Sequence, residues 1–232
     1  MGGSFEAPTP SPRLPRLVFA FHPPPHSLGL LYSAFTAFLG FQVKKGEHKV
    51  RSMAPYGKPK YIDKIYDNLI KVAPDGSFWI NMDYFSYHYS DEKTINSKFG
   101  KLFGKPRMPE MHFSTSNTRF PSYFGNKPPN YEELCRKNEY YADVAPSIQK
   151  VTEEILLKLA NSLHKETGLT KLCIAGGVGL ISLANSLILR ETPFKDLFVQ
   201  PAAGEGGGAM GAALHVYHGL MGNLRAFVLE NA

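Results

Sequence analysis

The chain is predicted to be an α/β protein built on parallel strands, and three observations predict it. Two apolar runs, LCIAGGVG (Leu172 to Gly179) and LFVQPAAGEGGGAMGAAL (Leu197 to Leu214), each end in a glycine cluster that opens a helical segment. Around them the sequence alternates strand and helix patterns, as LCIAG, ISLANSLILR, LFVQP and GGAMGAALHVYHGL. Such alternation implies parallel strands joined by right-handed crossovers. Upstream, Ile148, Val151, Ile155, Leu159 and Leu163 recur at three- and four-residue steps, the period of a helix that packs on a sheet.

Taken in order, residues 1–25 hold seven prolines and read as an irregular tail. At its end, His22-Pro-Pro-Pro-His26 has the spacing that would put two imidazoles on one face of a helix. Three prolines enforce an extended path instead and turn the rings apart, so no metal site is expected there. From Ser27 to Phe41, Leu31, Ala34, Phe35 and Phe38 fall at helical spacing, with a stop near Gly40. The next segment carries turns at Lys45-Gly46 and Pro55-Tyr56-Gly57, then a helix with Tyr61, Ile65 and Leu69 on one face. Its loop offers Lys49, Arg51, Lys58 and Lys60 to a ligand or simply to solvent.

Asp75-Gly76 marks a hairpin-like turn into a strand where Phe78, Ile80 and Met82 alternate with polar positions. The aromatic density there suggests an interface or a second core. Residues 93–138 are poor in periodicity and read as an insert of loops around short elements, structural padding rather than a substrate-side flap. Tyr140 to Thr167 is the clearest helix, stopped by Gly168.

Composition bounds the function. With 232 residues, 43% hydrophobic and 20% charged, the chain can bury a core as one large or two small domains. A net charge of +6 with scattered Lys and Arg indicates no nucleic-acid groove, while leaving attraction for small anions. Cys135 and Cys173 lack metal-ligand spacing and read as buried free thiols of a reducing compartment. No apolar run reaches a membrane-spanning length and no signal-peptide pattern opens the chain, so a cytoplasmic protein is expected.

The chemistry concentrates in the two glycine clusters. Gly176 and Gly177 follow the first strand; Gly204, Gly206, Gly207 and Gly208 surround one carboxylate, Glu205, after the second. Glycine permits positive φ and close approach of a phosphate or sugar to the main chain, and bare amides at a strand-to-helix turn attract anions. Ligands of parallel sheets sit at the carboxyl ends of the strands, where both clusters fall. The structural alternative is that the same turns merely pack a helix closely on a strand. His215 and His218 share a helix at i and i+3 and read as a surface or satisfied pair rather than ligands.

PHSLGLLYSAFTAFLGF, GEHKVRSMAPYGKPKY, DGSFWINMDYF, the AGGV cluster and RETPFKDLFVQPAAGEGGGAMGAAL resemble the carbamoyltransferase family of nodulation and antibiotic-tailoring enzymes, from about Pro25 to the C-terminus. The resemblance implies a Kae1-like domain of the actin/Hsp70/sugar-kinase ATPase fold, followed in the family by a YrdC-like domain. It implies ATP-dependent transfer of a carbamoyl group from carbamoyl phosphate, through a carbamoyl-adenylate, to a hydroxyl of a sugar or natural-product acceptor, near a divalent metal such as Fe or Mg. The expected cofactor-binding residues are Gly176, Gly177, Val178, Asn185, Gly204, Gly206, Gly207 and Gly208, with Asn185 orienting ribose and Glu205 on the metal.

Against the family pattern, residues 26–232 are expected to form a partial Kae1-like lobe without the HxxxH metal motif and without the C-terminal domain, and a partner chain would supply the missing lobe. AGGVGLI stands for the family's AGGVALN, so Ile181 replaces an Asn able to bond a nucleotide. Glu205 stands for an Asp, and Ser52 for a Gly in the APYG segment. The alternative expectation is a catalytically inactive remnant, a nucleotide-binding or interaction module of the same fold. A sugar-kinase-like phosphotransferase is a weaker third reading, since fold alone does not fix chemistry.

Overall fold

The computed structural model describes residues 25–109, 113–118, 120 and 122–224. The predicted tail therefore lies, Pro25 apart, outside the described residues, and so does His22.

Helix α1 (Leu28–Phe38) starts at Ser27, whose hydroxyl oxygen accepts the amide of Leu30 at 3.3 Å. Leu31, Ala34, Phe35 and Phe38 are fully buried on one face of it, the face the spacing predicts. Phe99 and Phe103 of α4 (Ser97–Phe103) pack edge-on against Phe35, each with ring centroids 5.4 Å away. One of the short elements in the segment read as an insert thus contributes a helix to the main core. Seven residues with apolar side chains only at Phe99, Leu102 and Phe103 are too few to display a period.

Helix α5 (Tyr131–Thr167) runs alongside, burying Val144, Ala145, Ile148, Val151 and Ile155, and ends at Gly168 with φ +67°. It begins nine residues before the predicted Tyr140, because its first turns are polar and lack the apolar repeat. Glu132 and Glu133 there suit the positive end of the helix dipole. Pro146 lies inside α5 and has no amide to give the carbonyl of Ala142, four residues earlier.

That carbonyl is the docking point for the APYG segment. Helix α2 (Glu47–Met53) continues into a 3-10 turn, Ala54–Tyr56, and Gly57 then meets α5 so closely that a Cβ would lie 2.0 Å from the Ala142 oxygen. Asp143 accepts the amide of Lys58 at 2.7 Å and pairs with the Lys60 ammonium at 2.7 Å, and Ser147 accepts the amide of Tyr61 at 3.0 Å. Of the cations offered by the loop, Lys60 is therefore engaged with α5 through its ammonium, and Lys58 through its backbone amide. The chain goes on into α3 (Ile62–Asn68), which buries Ile65.

Strands β1 (Ile70–Val72) and β2 (Phe78–Ile80) form the predicted hairpin, antiparallel with Ile70 opposite Ile80. Ile70 and Ile80 face the core, while Trp79 stands 62% exposed with the His26 ring 3.6 Å from its own. Met82, expected to extend β2, lies in a 3-10 turn capped by the Asn81 side chain.

Strands β3 (Lys171–Ile174) and β4 (Asp196–Val199) pair in parallel, with Lys171 opposite Asp196, and helix α6 (Ser182–Glu191) makes the crossover. A small second core of Ala160, Ile188 and Phe194, with Leu163, Leu172 and Ile174 against it, joins this sheet to α5. Cys173 corrects an expectation: it is exposed, because residues alternate across β3 and its side is the uncovered one. Cys135 is buried as expected. Phe198 stands 53% exposed on the neighbouring strand, and α7 (Gly207–Leu214), continued by a π-helical turn over His215–Leu220, buries no residue.

Among the described residues, no helix is long and apolar enough to cross a membrane.

Candidate functional site

A cavity of about 220 Å³ lies between the α1–α2 segment on one side and the two glycine turns on the other. Gly177, Val178, Gly204 and Glu205, all predicted site residues, line it. The turns are joined directly, since the amide of Gly176 donates to the carbonyl of Ala203 at 2.7 Å. At Gly177 an added Cβ would meet nothing within 4 Å, and at Gly204 only the Gly177 Cα at 3.9 Å. Bare main chain thus borders open space at both positions, the arrangement a phosphate or sugar needs.

Other predicted residues do structural work. Gly176 has φ +98°, a conformation glycine is needed for. Gly207 closes its turn onto Gly204, and a Cβ there would lie 2.4 Å from the Ala202 carbonyl oxygen. Asn185 gives its amide to the Gly179 carbonyl at 2.7 Å, bracing the first turn from α6. Gly206 and Gly208 are exposed, and none of these five residues borders the cavity.

The opposite wall is mostly basic. Lys44, Lys45, His48 and Arg51 line it together with one carboxylate, Glu47, and of the four cations offered by the predicted loop only Arg51 is among them. Arg51 donates from Nη1 to the Leu180 carbonyl at 2.6 Å, tying α2 to the first glycine turn. Lys44, Lys45 and His48 went unsingled because a short basic run beside a turn looks like a solvated loop. Lys45-Gly46, placing the chain back toward α1, is the one signal that could have found them.

The floor is Gly29 and Tyr32 of α1. Tyr32 donates its hydroxyl to Gln149 of α5 at 2.8 Å, and burial holds the phenol far above its usual range. It is thus a neutral, fixed group and no proton acceptor. Ile181 also lines the cavity and is 5% exposed, so this position presents hydrocarbon where an Asn would present an amide.

Among the described residues, no group of three or more His, Cys, Asp or Glu side chains could hold a metal ion. His218 is engaged with the Asn223 carbonyl at 2.7 Å, and His26 accepts the Ile80 amide at 3.3 Å. A resident metal caged by these side chains does not fit. Mg²⁺, commonly held by one or two carboxylates together with substrate phosphates, does fit Glu205 beside a phosphate-sized space.

Residues 10–214 match the family described as carbamoyltransferase N-terminus. The chain belongs to that family. "Uncharacterized protein sll1178" of Synechocystis sp. is 47% identical over 201 residues, covering 87% of this chain and 29% of that protein. Two nodulation proteins are also similar: NolO of Bradyrhizobium diazoefficiens, 27% identical over 84% of this chain and 29% of its own length, and NolNO of Sinorhizobium fredii, 28% identical over 84% and 23%. This carbamoyltransferase N-terminal chain spans less than a third of the length of each of these three relatives.

Proposed function

We propose that the chain forms the nucleotide-binding part of an ATP-dependent carbamoyltransferase, one lobe of the actin/Hsp70/sugar-kinase type of fold. The reaction is transfer of a carbamoyl group from carbamoyl phosphate, through a carbamoyl-adenylate, to a hydroxyl of a sugar or natural-product acceptor. The observation that carries this reading is the convergence of two glycine turns and the Lys44, Lys45 and Arg51 side chains on one cavity. At about 220 Å³ the cavity is smaller than the 300–1,000 Å³ of a typical ligand site, so it takes the phosphate end of a nucleotide rather than the whole. The uncovered face of β3 and β4 supports a lobe that is completed by further structure, because parallel sheets are ordinarily covered on both sides.

In this reading the main chain at Gly177 and Gly204 lies against the phosphates, Arg51 and its neighbours balance their charge, and Tyr32 fixes the floor without exchanging a proton. Glu205 contributes one carboxylate to a Mg²⁺ that arrives with the nucleotide. When bound, that ion would neutralise phosphate charge.

Calorimetric titration of the chain with ATP, with and without Mg²⁺ or Fe²⁺, tests the reading. Saturable binding with a Kd up to about 1 mM, tightened by Mg²⁺ in the wild type but not in Glu205→Ala, is the expected result. No binding at millimolar ATP in either form would leave a remnant or interaction module as the better account.

A further inference from the structure

Lys44 has φ +68°, and it is the one non-glycine residue among those described with positive φ. It sits at the third position of a turn, Gln42 to Lys45, closed by the Lys45 amide on the Gln42 carbonyl at 3.3 Å. With φ of this sign, that position is the one Gly or Asn ordinarily fills. A lysine there is strained, and the surroundings hold it there. Its amide donates to Glu47 at 2.8 Å, and the same carboxylate oxygen accepts the hydroxyl of Ser33 at 2.9 Å, so α1 and α2 both clamp the turn. Gly46, next in line, packs so tightly that a Cβ would lie 2.7 Å from that of Phe41.

The clamp engages an acidic side chain, Glu47, that itself lines the cavity. Glu47 is occupied by a backbone amide and a hydroxyl, and among the described residues no carboxylate lies within ion-pair distance of the Lys44 ammonium. The side chain nevertheless lines the cavity, facing the glycine turns that leave their main chain open. Strain retained in a residue whose side chain borders a cavity is informative, because a solvated loop position would lose nothing by carrying Asn.

We propose that Lys44 is the anion-recognition residue of the cavity, held in a strained turn by Ser33 and Glu47 so that its ammonium meets the phosphates of a polyphosphate ligand. This rests on the nucleotide reading above. It adds that the residue trades fold stability for ligand affinity, which a residue with a merely structural role does not do.

The test titrates ATP and inorganic pyrophosphate into the full chain and into its Lys44→Asn and Lys44→Arg variants, alongside thermal melts. Lys44→Asn is expected to melt higher than wild type and to bind both probes about ten-fold more weakly or worse, the loss of one charge-assisted hydrogen bond. Its binding should also depend less on salt. Lys44→Arg keeps the charge and the strain and should keep the affinity. If wild type binds both probes and Lys44→Asn binds them equally well, the Lys44 assignment fails while the nucleotide reading stands. If Lys44→Asn melts at or below wild type, the strain argument is wrong. If wild type binds neither probe, both readings fall.

Discussion

Replacing Gly57 with alanine would put a methyl carbon 2.0 Å from the carbonyl oxygen of Ala142, 2.2 Å from its carbonyl carbon and 2.6 Å from the amide nitrogen of Asp143. All three atoms are backbone in the middle of α5, whose neighbouring Val144, Ala145 and Ile148 are fully buried, so none can swing aside. The APYG turn must lift off instead. Lifting it breaks the 2.7 Å bond from the Lys58 amide to Asp143 and the 3.0 Å bond from the Tyr61 amide to Ser147. Overpacking costs about 1–3 kcal/mol, and each of the two bonds about 1 kcal/mol, so the substitution should cost about 3–5 kcal/mol. For a chain of this size a loss of 1 kcal/mol lowers Tm by about 2–4 °C, giving a fall of about 6–20 °C.

Urea titration provides the assay: the midpoint should drop while the slope stays constant, because surface exposed on unfolding does not change. Gly100 in α4 is the control, since an added Cβ there meets nothing within 4 Å. Gly100→Ala should stabilise by about 0.5–1 kcal/mol, the ordinary gain of alanine over glycine inside a helix. A Gly57→Ala protein within 1 kcal/mol of wild type would refute the close-approach account and return that turn to simple loop chemistry.

Three further outcomes follow from other parts of the molecule. Phe35→Ala, at the centre of the aromatic cluster and fully buried, should cost about 3–5 kcal/mol in the same urea assay, whereas Trp79→Ala on the exposed side of β2 should cost far less. Stability should fall as pH rises above 10: burial raises the phenols of Tyr32, Tyr66, Tyr87 and Tyr140 above their unfolded value of 10.0, so the folded state keeps protons that the unfolded state releases. Their contribution is complete below pH 10, and the share of tyrosinate absorbance that belongs to these four should appear with unfolding, not ahead of it. Arg51→Ala releases the Leu180 carbonyl and removes one cation from the cavity, so ATP affinity should fall while Lys49→Ala, outside the cavity, leaves it unchanged.

The α/β alternation of the last quarter was legible because strand and helix differ in period and each glycine cluster marks a boundary; β3, α6, β4 and α7 fall where those signals place them. The hairpin at Asp75-Gly76 and the buried face of α1 were legible for the same reason. The start of α5 was not, since YEELCRKNE has no apolar repeat. Half of the site was legible as well. Glycines announce themselves by composition, but the wall opposite them is built from Lys44, Lys45 and His48, ordinary surface residues whose meaning depends on α1 and α2 folding back toward Val178. Density of glycine also misled in part: Gly207 answers to the Ala202 carbonyl and Gly176 to its own φ, needs internal to the turns.

The same helix joins the stable part of the molecule to its site. At its C-terminal end α2 runs into the turn that Gly57 presses onto α5, where Pro146 has left the Ala142 carbonyl without a partner in the helix. At its other end Glu47 gathers Ser33 and the Lys44 amide, while Arg51, in the last turn, reaches across to Leu180. The basic wall is therefore tied to the main core at both ends of the helix and to the first glycine turn through Arg51. A cavity whose two walls hang on one seven-residue helix cannot tolerate movement of that helix. Damage at Gly57, remote from any ligand contact, should accordingly weaken ATP binding even at temperatures where Gly57→Ala remains folded, and affinity that survives intact in that variant would show that Glu47 and Arg51 hold the wall without the Gly57 contact.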